Sequence, residues 1–302
     1  MGKKKIILSI ALAVYNEENN IKPCLSSVVG FADEIIVVDG GSTDKTVEIA
    51  KGFGAKVILT DNPPIFHINK QKALDACHGM WILQLDADEV VTEELRKEIV
   101  ATIGQKTMSR GQDIGHKTMS RGRKYVTGDN ERGTKIQDSR ENSLSYADCH
   151  MSHEYSGYYI PRRNFFLGHF MRKGGQYPDY VIRLVKRGYA EFPCKSVHEQ
   201  IKIDGEVGYL KNPLMHYSYR SKAEYWKKAN TYITLSAKEL KGKNIRISFS
   251  TSVEYLFVKP MKTFFSLFIR HKGFMDGYYG FLFALFSALH YPLSWRKYTK
   301  GI

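Results

Sequence analysis

Cysteine is scarce in this 302-residue chain, and several familiar nucleotide-binding motifs are absent from it. The four cysteines lie far apart with no Cys-x-x-Cys pair, so neither a zinc ribbon nor a dithiol redox site is indicated. We interpret them as free thiols in a reducing compartment. The lack of Gly-x-x-x-x-Gly-Lys-Ser/Thr argues against a P-loop ATPase, and the lack of Gly-x-Gly-x-x-Gly disfavours a dinucleotide-dependent enzyme.

Acidic residues are few in the last third of the chain. Residues 211–302 carry 16 Lys and Arg against 4 Asp and Glu, so they hold +12 of the total formal charge of +14. Such a basic region predicts an anionic partner, such as phospholipid, phosphorylated glycan or nucleic acid. The basic residues are interleaved with aliphatic and aromatic runs, and no nucleic-acid-binding module is recognisable, so we expect no nucleic-acid partner.

Charged residues are missing between 277 and 295, inside a segment that is rich in aromatic residues. We predict that residues 246–302 form a helical segment that associates with an anionic membrane surface. The charge-free stretch of 19 residues is long enough for a membrane span, but Gly277, Gly280 and Pro292 interrupt it, so peripheral attachment is favoured. The alternative is that the aromatic residues pack on the rest of the chain or on a second subunit.

Strand and helix patterns alternate over roughly the first third of the chain. Apolar runs at 6–14, 34–38, 56–59 and 81–85 predict buried strands, and the segments between them predict helices. Three lysines before the first run also resemble a secretory signal, but the run is short for one, so a buried strand is the better interpretation. The alternation predicts an α/β domain with a mainly parallel, doubly wound sheet, whose ligands bind beyond the carboxyl ends of the strands.

The remainder of the chain is less regular. Residues 104–150 are polar and contain Lys-Thr-Met-Ser-Arg-Gly twice, which we interpret as a flexible insertion, with a polyanion-binding arm as the alternative. We expect a helix over 217–240 and either a helix or an edge strand over 179–186. The sequence thus predicts a catalytic domain over residues 1–245, followed by the helical segment 246–302.

Acidic residues follow two of the predicted buried strands. Asp86 and Asp88 come directly after the run 81–85, separated by one small residue, so both carboxylates can point into one cleft. Carboxylates are preferred ligands of Mg²⁺ and Mn²⁺, which keep positions open for phosphate oxygens. Asp39 precedes a Gly-Gly-Ser turn, where a ligand can approach the backbone and the carboxylate can bind a base or ribose. Either motif can also be an ordinary turn that caps the following helix.

These motifs, taken in order, resemble glycosyltransferase family 2, whose members have the GT-A fold. The resemblance rests on Ala-Val-Tyr-Asn-Glu-Glu at 13–18, Ile-Val-Val-Asp-Gly-Gly-Ser-Thr-Asp-Lys-Thr at 36–46 and Trp-Ile-Leu-Gln-Leu-Asp-Ala-Asp-Glu at 81–89. It is greatest to the branch that contains the lipopolysaccharide core β-1,4-glucosyltransferases, and extends to residues 177–179, 183–184, 197–199 and 216–219. Residues 104–150 depart from the family pattern.

The resemblance implies a binding site for a UDP-sugar donor. Tyr15, Asn16 and Glu17 would line the nucleotide pocket. Asp39 would contact the uracil or the ribose, and Lys72 would lie near the donor.

A divalent metal, Mg²⁺ or Mn²⁺, is implied by the same resemblance. Asp86 would lie near the ribose and the metal, and Asp88 would bind the metal directly. A histidine often completes the metal site in such enzymes, and His198 is the first candidate and His216 the second. Arg183 would stabilise diphosphate charge or pair with the carboxylate at position 179.

The catalytic base that the resemblance implies is Asp179, at the position of the acceptor-activating carboxylate. Related enzymes have a Glu-Asp pair there, whereas this chain has Pro178-Asp179, so Glu199 is the rival candidate. The base would take a proton from an acceptor hydroxyl, which then attacks the anomeric carbon with inversion.

The function implied is transfer of a hexose, glucose from UDP-glucose first, to a lipopolysaccharide-core or other lipid-linked glycan. We expect the protein in the cytoplasm, peripheral on the inner face of the cytoplasmic membrane. Two alternatives stay open: a transferase of the same fold that acts on a protein or peptide, and a non-catalytic protein that binds glycan or lipid.

Overall fold

The computed structural model describes residues 6–109, 155–194 and 200–301, without the side chains of residues 105–109. The insertion predicted over 104–150 therefore lies almost wholly outside the described residues, as do the candidates His198 and Glu199. Cys24 and Cys77 are buried free thiols, in agreement with the sequence-based interpretation.

Strands and helices alternate in the first described part, as predicted. Its strands are β1 (Leu8–Val14), β2 (Glu34–Asp39), β3 (Lys56–Leu59), β4 (Trp81–Leu85) and β5 (Glu89–Val91). Its helices are α1 (Ile21–Val28), α2 (Thr46–Gly52), α3 (His67–Asp75) and α4 (Glu93–Ser109). The strands β3, β2, β1 and β4 lie side by side and run parallel.

The central strand β1 is buried because helices cover both faces of the sheet. Successive side chains of a strand point to opposite faces. Ile10 packs in one apolar cluster with Leu25 of α1, whereas Ala11 packs in a second cluster with Leu74 of α3. The nearly continuous apolar run that the sequence shows here is therefore the run expected of a strand covered on both sides.

The second half of the sheet mixes strand directions. The strands that follow along the chain are β6 (Gly157–Phe166), β7 (His169–Phe170), β8 (Asp179–Lys186), β9 (Ala190–Glu191), β10 (Lys202–Ile203), β11 (Val207–Tyr209) and β12 (Leu214–Tyr219). Of these, β9 and β10 form a separate antiparallel pair, and the others belong to the main sheet. Next to β4 lie β8, β6, β12 and β5 in that order, with β8 antiparallel to both of its neighbours and β12 parallel to β6. The fold is thus α/β as predicted, with a parallel first half and a mixed second half.

One helix begins later than the sequence predicts. The segment expected to be helical over 217–240 starts inside β12, and helix α5 spans Lys222–Gly242. Tyr217 and Tyr219 lie in the strand, consistent with the preference of aromatic residues for strands. The helix begins at Ser221, whose hydroxyl accepts a hydrogen bond from the backbone N–H of Glu224 at 3.1 Å. Residues 179–186, for which the sequence leaves open a helix or an edge strand, form the strand β8.

Helical turns of three kinds make up the C-terminal segment. They are α6 (Phe249–Val253), a π-helical turn (Glu254–Val258), α7 (Lys259–Phe265), a second π-helical turn (Ser266–Arg270), a 3₁₀ turn (Gly273–Asp276) and α8 (Gly277–Thr299). Leu282 of α8 shares an apolar cluster with Phe166 of β6 and Tyr225 of α5, so this segment packs on the sheet domain. None of the described helices combines the length and the apolar character that crossing a membrane requires.

Candidate functional site

A cleft opens where β1 and β4 end. Because the carboxyl ends of parallel strands share one edge of a sheet, the residues that follow them come together. Tyr15 and Glu17 follow β1, Asp86 and Asp88 follow β4, and His216 reaches the same cleft from β12. The cleft has a volume of about 430 Å³. The structure therefore brings together the two acidic motif residues, two residues of the predicted nucleotide pocket and the second-choice histidine.

Asp39 organises the turn that follows β2. Its Oδ1 accepts hydrogen bonds from the backbone N–H groups of Gly41 at 3.1 Å and Ser42 at 2.9 Å, and its Oδ2 accepts one from the Ser42 hydroxyl at 2.5 Å. Gly41 has a φ of 84°, which favours glycine. The carboxylate thus serves the turn, and with 1% of its surface exposed it does not line the cleft between β1 and β4. Its predicted nucleotide contact stays a prediction.

Asn16 joins the turn after β1 to the turn after β2. Its backbone N–H donates to the Ser42 hydroxyl at 2.8 Å, and its side-chain Oδ1 accepts from the backbone N–H of Thr43 at 2.8 Å. Asn16 has a φ of 54°, a left-handed conformation that Asn tolerates better than most residues. These bonds hold together the two loops in which the nucleotide pocket was predicted.

Tyr15 and Glu17 face the cleft from the loop after β1. The Tyr15 side chain is exposed, as a stacking surface for a ring would be. Glu17 is half-buried, and burial raises the pKa of its carboxyl, with the carboxylate of Asp88 adding to the rise and the hydrogen bond from Asn20 opposing it.

Asp86 is held by two cations. Lys70 of α3 donates to its Oδ1 at 2.5 Å, and Arg183 of β8 donates to its Oδ2 at 2.6 Å. Burial alone would raise the pKa of Asp86, but Arg183 and then Lys70 lower it well below its usual value. Asp86 thus lies next to Asp88 with a cation on each of its oxygens, and its predicted place near the ribose and the metal stays a prediction.

Arg183 is buried among carboxylates. Its Nη2 donates to Glu89 at 2.7 Å as well as to Asp86, and its Nη1 donates to the side chain of Gln84. Glu89 has no exposed surface, so this pairing neutralises a charge that would otherwise be costly. The alternative that Arg183 pairs with Asp179 is wrong, because the two residues lie four positions apart along the extended strand β8 and Arg183 pairs with Asp86 and Glu89 instead.

Asp88 and His216 face each other. The Asp88 Oδ2 and the His216 Nε2 are 3.4 Å apart. Burial raises the pKa of Asp88, but the contact with His216 and, to a smaller extent, the charge of Lys228 lower it, so the pKa lies below its usual value. This pair is the part of the cleft that most resembles one side of a metal site.

Asn164 of β6 determines which nitrogen of His216 carries a proton. The Asn164 Nδ2 donates to the Gln176 carbonyl and to Asp179, both at 3.2 Å, so its Oδ1 must face His216. That oxygen lies 2.6 Å from the His216 Nδ1, which therefore donates. The His216 Nε2 then either carries a second proton, which it donates to Asp88, or turns its lone pair to a cation held between the two groups.

Such a donor pair suits a divalent metal in part. One carboxylate and one imidazole can bind the same ion, and imidazole orientation by a hydrogen bond to the other ring nitrogen is common at metal sites. No group of three or more His, Cys, Asp or Glu side chains suited to a metal occurs in residues 6–104, 155–194 and 200–301. A metal held by Asp88 and His216 would take its other ligands from groups other than the His, Cys, Asp and Glu side chains of these residues. The first-choice histidine, His198, lies outside the described residues.

Asp179 lies at the start of β8, and one of its two carboxylate oxygens accepts hydrogen bonds from neighbouring side chains. Arg162 of β6 donates to its Oδ2 through Nε at 3.0 Å and Nη2 at 2.7 Å, and Asn164 donates to the same oxygen at 3.2 Å. Among the described residues, none donates a hydrogen bond to the Oδ1. The side chain is one-third exposed, so the Oδ1 is accessible from solvent. This placement is compatible with the role of base, whereas Glu199, the rival, lies outside the described residues.

Sequence reasoning missed Lys70, Arg162 and Asn164, and it singled out Lys72 instead. The Lys72 amino group donates to the Thr60 hydroxyl at 2.6 Å and lies 3.7 Å from Asp61. Residues two apart on a helix do not share a face, so only one of the two lysines can reach the acidic motif. The two β6 residues belong to no sequence motif, and nothing in the local pattern could have pointed to them.

Comparisons with known proteins agree with this architecture. The family model described as glycosyl transferase family 2 matches residues 9–158. An uncharacterized glycosyltransferase of Rickettsia bellii is 38% identical over 104 residues, which cover 34% of this chain and 35% of that protein. The chain thus matches about a third of the length of the Rickettsia relatives.

One relative matches along almost the whole chain. The lipopolysaccharide core biosynthesis glycosyltransferase LpsC of Rhizobium meliloti is 25% identical over 304 residues, covering 97% of this chain and 92% of that protein. A solved structure, glucosyl-3-phosphoglycerate synthase of Mycobacterium tuberculosis with Mn²⁺, UDP and glucosyl-3-phosphoglycerate, is 29% identical over 28% of this chain and 34% of its own, with a TM-score of 0.26. The matched residues 9–158 run from the second residue of β1 through β5 and include both acidic motifs, and this part of the chain belongs to glycosyl transferase family 2.

Proposed function

We propose that this protein is a metal-dependent, inverting hexosyltransferase that uses a UDP-sugar, with UDP-glucose as the first candidate. The observation that carries the proposal is the cleft at the end of β4, where Asp88 and His216 face each other at 3.4 Å and Asn164 connects His216 to Asp179. One cleft thus holds a candidate cation site, and one amide joins that site to a candidate base. Membership of family 2 supports the reaction class, and the chain-long likeness to LpsC supports the choice of acceptor.

The metal would be held by Asp88 and His216. When bound, a divalent ion neutralises the charge that develops on the departing diphosphate. Asn164 keeps the proton of His216 on Nδ1 and so leaves Nε2 for the ion. Arg183 and Lys70 keep Asp86 ionised and fixed beside this site, which holds the turn between the two aspartates in place.

The donor would bind between the loops after β1 and β2. Tyr15 offers an exposed ring, and Asp39 fixes the turn after β2 through its hydrogen bonds. Lys70 lines the cleft with its amino group on Asp86, so it adds positive charge beside the position proposed for the diphosphate.

Asp179 is the candidate base. Arg162 holds its Oδ2, which leaves the Oδ1 to accept the proton of an acceptor hydroxyl. The oxygen of that hydroxyl then forms a bond to the anomeric carbon, and the bond from that carbon to the diphosphate breaks with its electron pair on the diphosphate. Attack from the side opposite the leaving group inverts the configuration.

The proposed acceptor is a lipopolysaccharide-core or other lipid-linked glycan. LpsC is named for lipopolysaccharide core biosynthesis, and the likeness extends through the C-terminal segment of this chain. That segment is basic and aromatic, which supports a location on the inner face of the cytoplasmic membrane.

The test is UDP release by purified protein from a set of UDP-sugars, with Mn²⁺ or with a chelator, and with and without candidate glycan acceptors. We expect one UDP-sugar to be preferred, and Asp88→Asn to lower its turnover about a thousandfold, which corresponds to several kcal/mol of charge stabilisation. Asp75→Asn is the matched control, because Asp75 lies on α3 outside the cleft and contacts only Gln71 in the described hydrogen bonds. Turnover of Asp88→Asn at the wild-type rate would show that the metal assignment is wrong.

A further inference from the structure

The helical stretch from 254 to 270 carries an apolar stripe on its outer side. Phe257, Met261, Phe265 and Ile269 are all exposed and follow one another at intervals of four residues. An α-helix has about 3.6 residues per turn, so an interval of four slowly drifts around it. The π-helical turns at 254–258 and 266–270 hold more residues per turn and oppose that drift. The mixture of turns therefore keeps these four side chains on one face.

A second stripe with the same interval forms the inner side. Tyr255 stacks on Trp295 of α8 with ring centroids 4.9 Å apart. Leu267, which lies three such intervals after Tyr255, contacts the loop before β8. Its Cδ2 is 3.7 Å from the point where a Cβ on Gly175 would lie. The inner stripe packs on the rest of the molecule, so the outer stripe is what remains without a covering element in the described structure.

Exposed apolar residues continue beyond this stretch. We call the docking face the set Phe257, Met261, Phe265, Ile269, Phe274, Met275, Tyr278 and Phe281, all of which are exposed. Eight large exposed apolar side chains within residues 257–281 are more than the single, scattered ones that are normal on a surface, and such a cluster marks an interaction site. The surrounding sequence, residues 246–281, contains five Lys and Arg against two acidic residues, Glu254 and the buried Asp276.

We propose that the docking face lies flat on the surface of an anionic phospholipid bilayer and inserts its aromatic and aliphatic side chains between the headgroups. An apolar helix face with basic residues around it binds such membranes through both buried area and charge. A second copy of the chain is a poorer occupant, because two copies, each with a formal charge of +14, would bring two basic faces together.

The docking face is fastened to the loop that leads into Asp179. Asp276, a buried residue between Met275 and α8, accepts hydrogen bonds from the backbone N–H groups of Arg172 at 2.9 Å and Lys173 at 2.8 Å, and contacts the His169 Nε2 at 2.9 Å. The backbone N–H of Gly174 donates to the His271 carbonyl at 2.9 Å. The loop over residues 171–178 therefore stays at a fixed position beside the bilayer surface.

This fastening defines which part of the molecule the membrane would meet. The loop ends at Asp179, the candidate base, so an acceptor glycan held by a lipid in the bilayer would reach the base along residues 171–178. The acceptor step rests on the proposed function, whereas the docking itself does not.

The experiment is sedimentation of the purified full chain with vesicles of phosphatidylglycerol and phosphatidylethanolamine, and with vesicles of phosphatidylcholine alone. We expect binding to the anionic vesicles and weaker binding to the neutral ones. Ile269→Asp should weaken binding about tenfold, because one apolar side chain of this size no longer inserts and a negative charge meets the lipid. Val100→Asp on α4 is the matched control: Val100 is 50% exposed and Ile269 is 53% exposed, and only Ile269 belongs to the docking face.

Three outcomes would overturn the inference: no binding to anionic vesicles, equal weakening by Ile269→Asp and Val100→Asp, or a dimer in solution that Ile269→Asp dissociates. Thermal unfolding of both variants controls for misfolding, and Met261→Asp provides an independent second position. Amide hydrogen exchange with and without anionic vesicles tests the orientation, with slowing expected in 257–281 and 171–178 and none in α2. Because binding is measured without any UDP-sugar, a protein that binds vesicles but releases no UDP would refute the proposed function and leave the docking inference intact.

Discussion

Asp86 and Asp88 are separated by one residue, yet the structure gives them different surroundings. Asp86 has a cation on each carboxylate oxygen, Lys70 at 2.5 Å and Arg183 at 2.6 Å. Asp88 faces the His216 Nε2 at 3.4 Å, which is an arrangement for a proton or a metal. The two acids of this motif therefore have different roles. Asp86 fixes the end of β4, and Asp88 is available to a ligand; we call this the division between Asp86 and Asp88.

The largest effect that would test this division is on stability. Asp86→Asn leaves two buried cations without their shared carboxylate, and breaking a buried ion pair costs about 3–5 kcal/mol. We expect the free energy of unfolding to fall by about that amount for Asp86→Asn, and to fall by less for Asp88→Asn, because Asp88 faces a single His216 nitrogen at 3.4 Å whereas Asp86 contacts two cations. Urea denaturation followed by circular dichroism measures both. Equal losses for the two variants would contradict the division.

Acid should erase the stability difference between wild type and Asp86→Asn. The pKa of Asp86 is lowered in the folded state, so its contribution to stability is fully present above the unfolded value of about 3.9 and is lost as pH falls through the folded pKa. The variant has no such contribution to lose. We therefore expect the gap between the two proteins to stay constant from neutral pH to about pH 5 and to narrow below about pH 4. A gap that widens in acid would show that the carboxylate is not stabilised as the anion.

The next prediction compares the two candidate bases. Loss of a general base lowers turnover about 10²–10⁴-fold. We expect this loss for Asp179→Asn, with the KM for the UDP-sugar little changed because Asp179 lies on the acceptor side. Glu199→Gln provides the comparison, and a variant that keeps near-normal turnover still has the essential base, so the residue that it lost is not that base. Asp204→Asn, in the turn after β10, controls for the general effect of removing an acid from this half of the chain.

Much of the first half of the molecule could be predicted from the sequence, and little of the second half could. Buried parallel strands leave continuous apolar runs, and the glycines and acids at their ends lie next to those runs, so β1 to β4 and the motifs after them were found from local patterns. Arg162 and Asn164 are alternate polar residues of β6 that meet Asp179 only because β6 pairs with β8, a contact that no local pattern encodes. The start of α5 was misplaced for a related reason, since the tyrosines of β12 continue directly into it.

Asn164 allows a sharper test of the second half. Its carbonyl oxygen accepts from the His216 Nδ1, and groups of this kind contribute about 10–100-fold to metal affinity. We expect Asn164→Ala to weaken the apparent affinity for Mn²⁺ about tenfold, measured by UDP release at a series of Mn²⁺ concentrations. Ser218→Ala is the control. The Ser218 hydroxyl lies 2.9 Å from the same His216 Nδ1 but can replace the Asn164 amide only in part, so its loss should weaken the affinity for Mn²⁺ less than the loss of Asn164 does. If excess Mn²⁺ did not restore the lost turnover, Asn164 would act mainly through its hydrogen bond to Asp179 and not through His216.

The smallest expected effect concerns the two lysines of α3. Lys72 contacts Thr60 and Asp61 and its side chain is 42% exposed, whereas Lys70 is buried against Asp86. Exposed polar pairs contribute about 0.2–1 kcal/mol, so Lys72→Ala should change the KM for the UDP-sugar less than about fivefold. Lys70→Ala should both destabilise the protein and raise that KM further, because it removes one of the two cations that hold Asp86. If Lys72→Ala raised the KM for the UDP-sugar more than Lys70→Ala did, the donor would lie nearer to Thr60 and the end of β3 than to Asp86. The division between Asp86 and Asp88 would then not describe the donor side of the cleft.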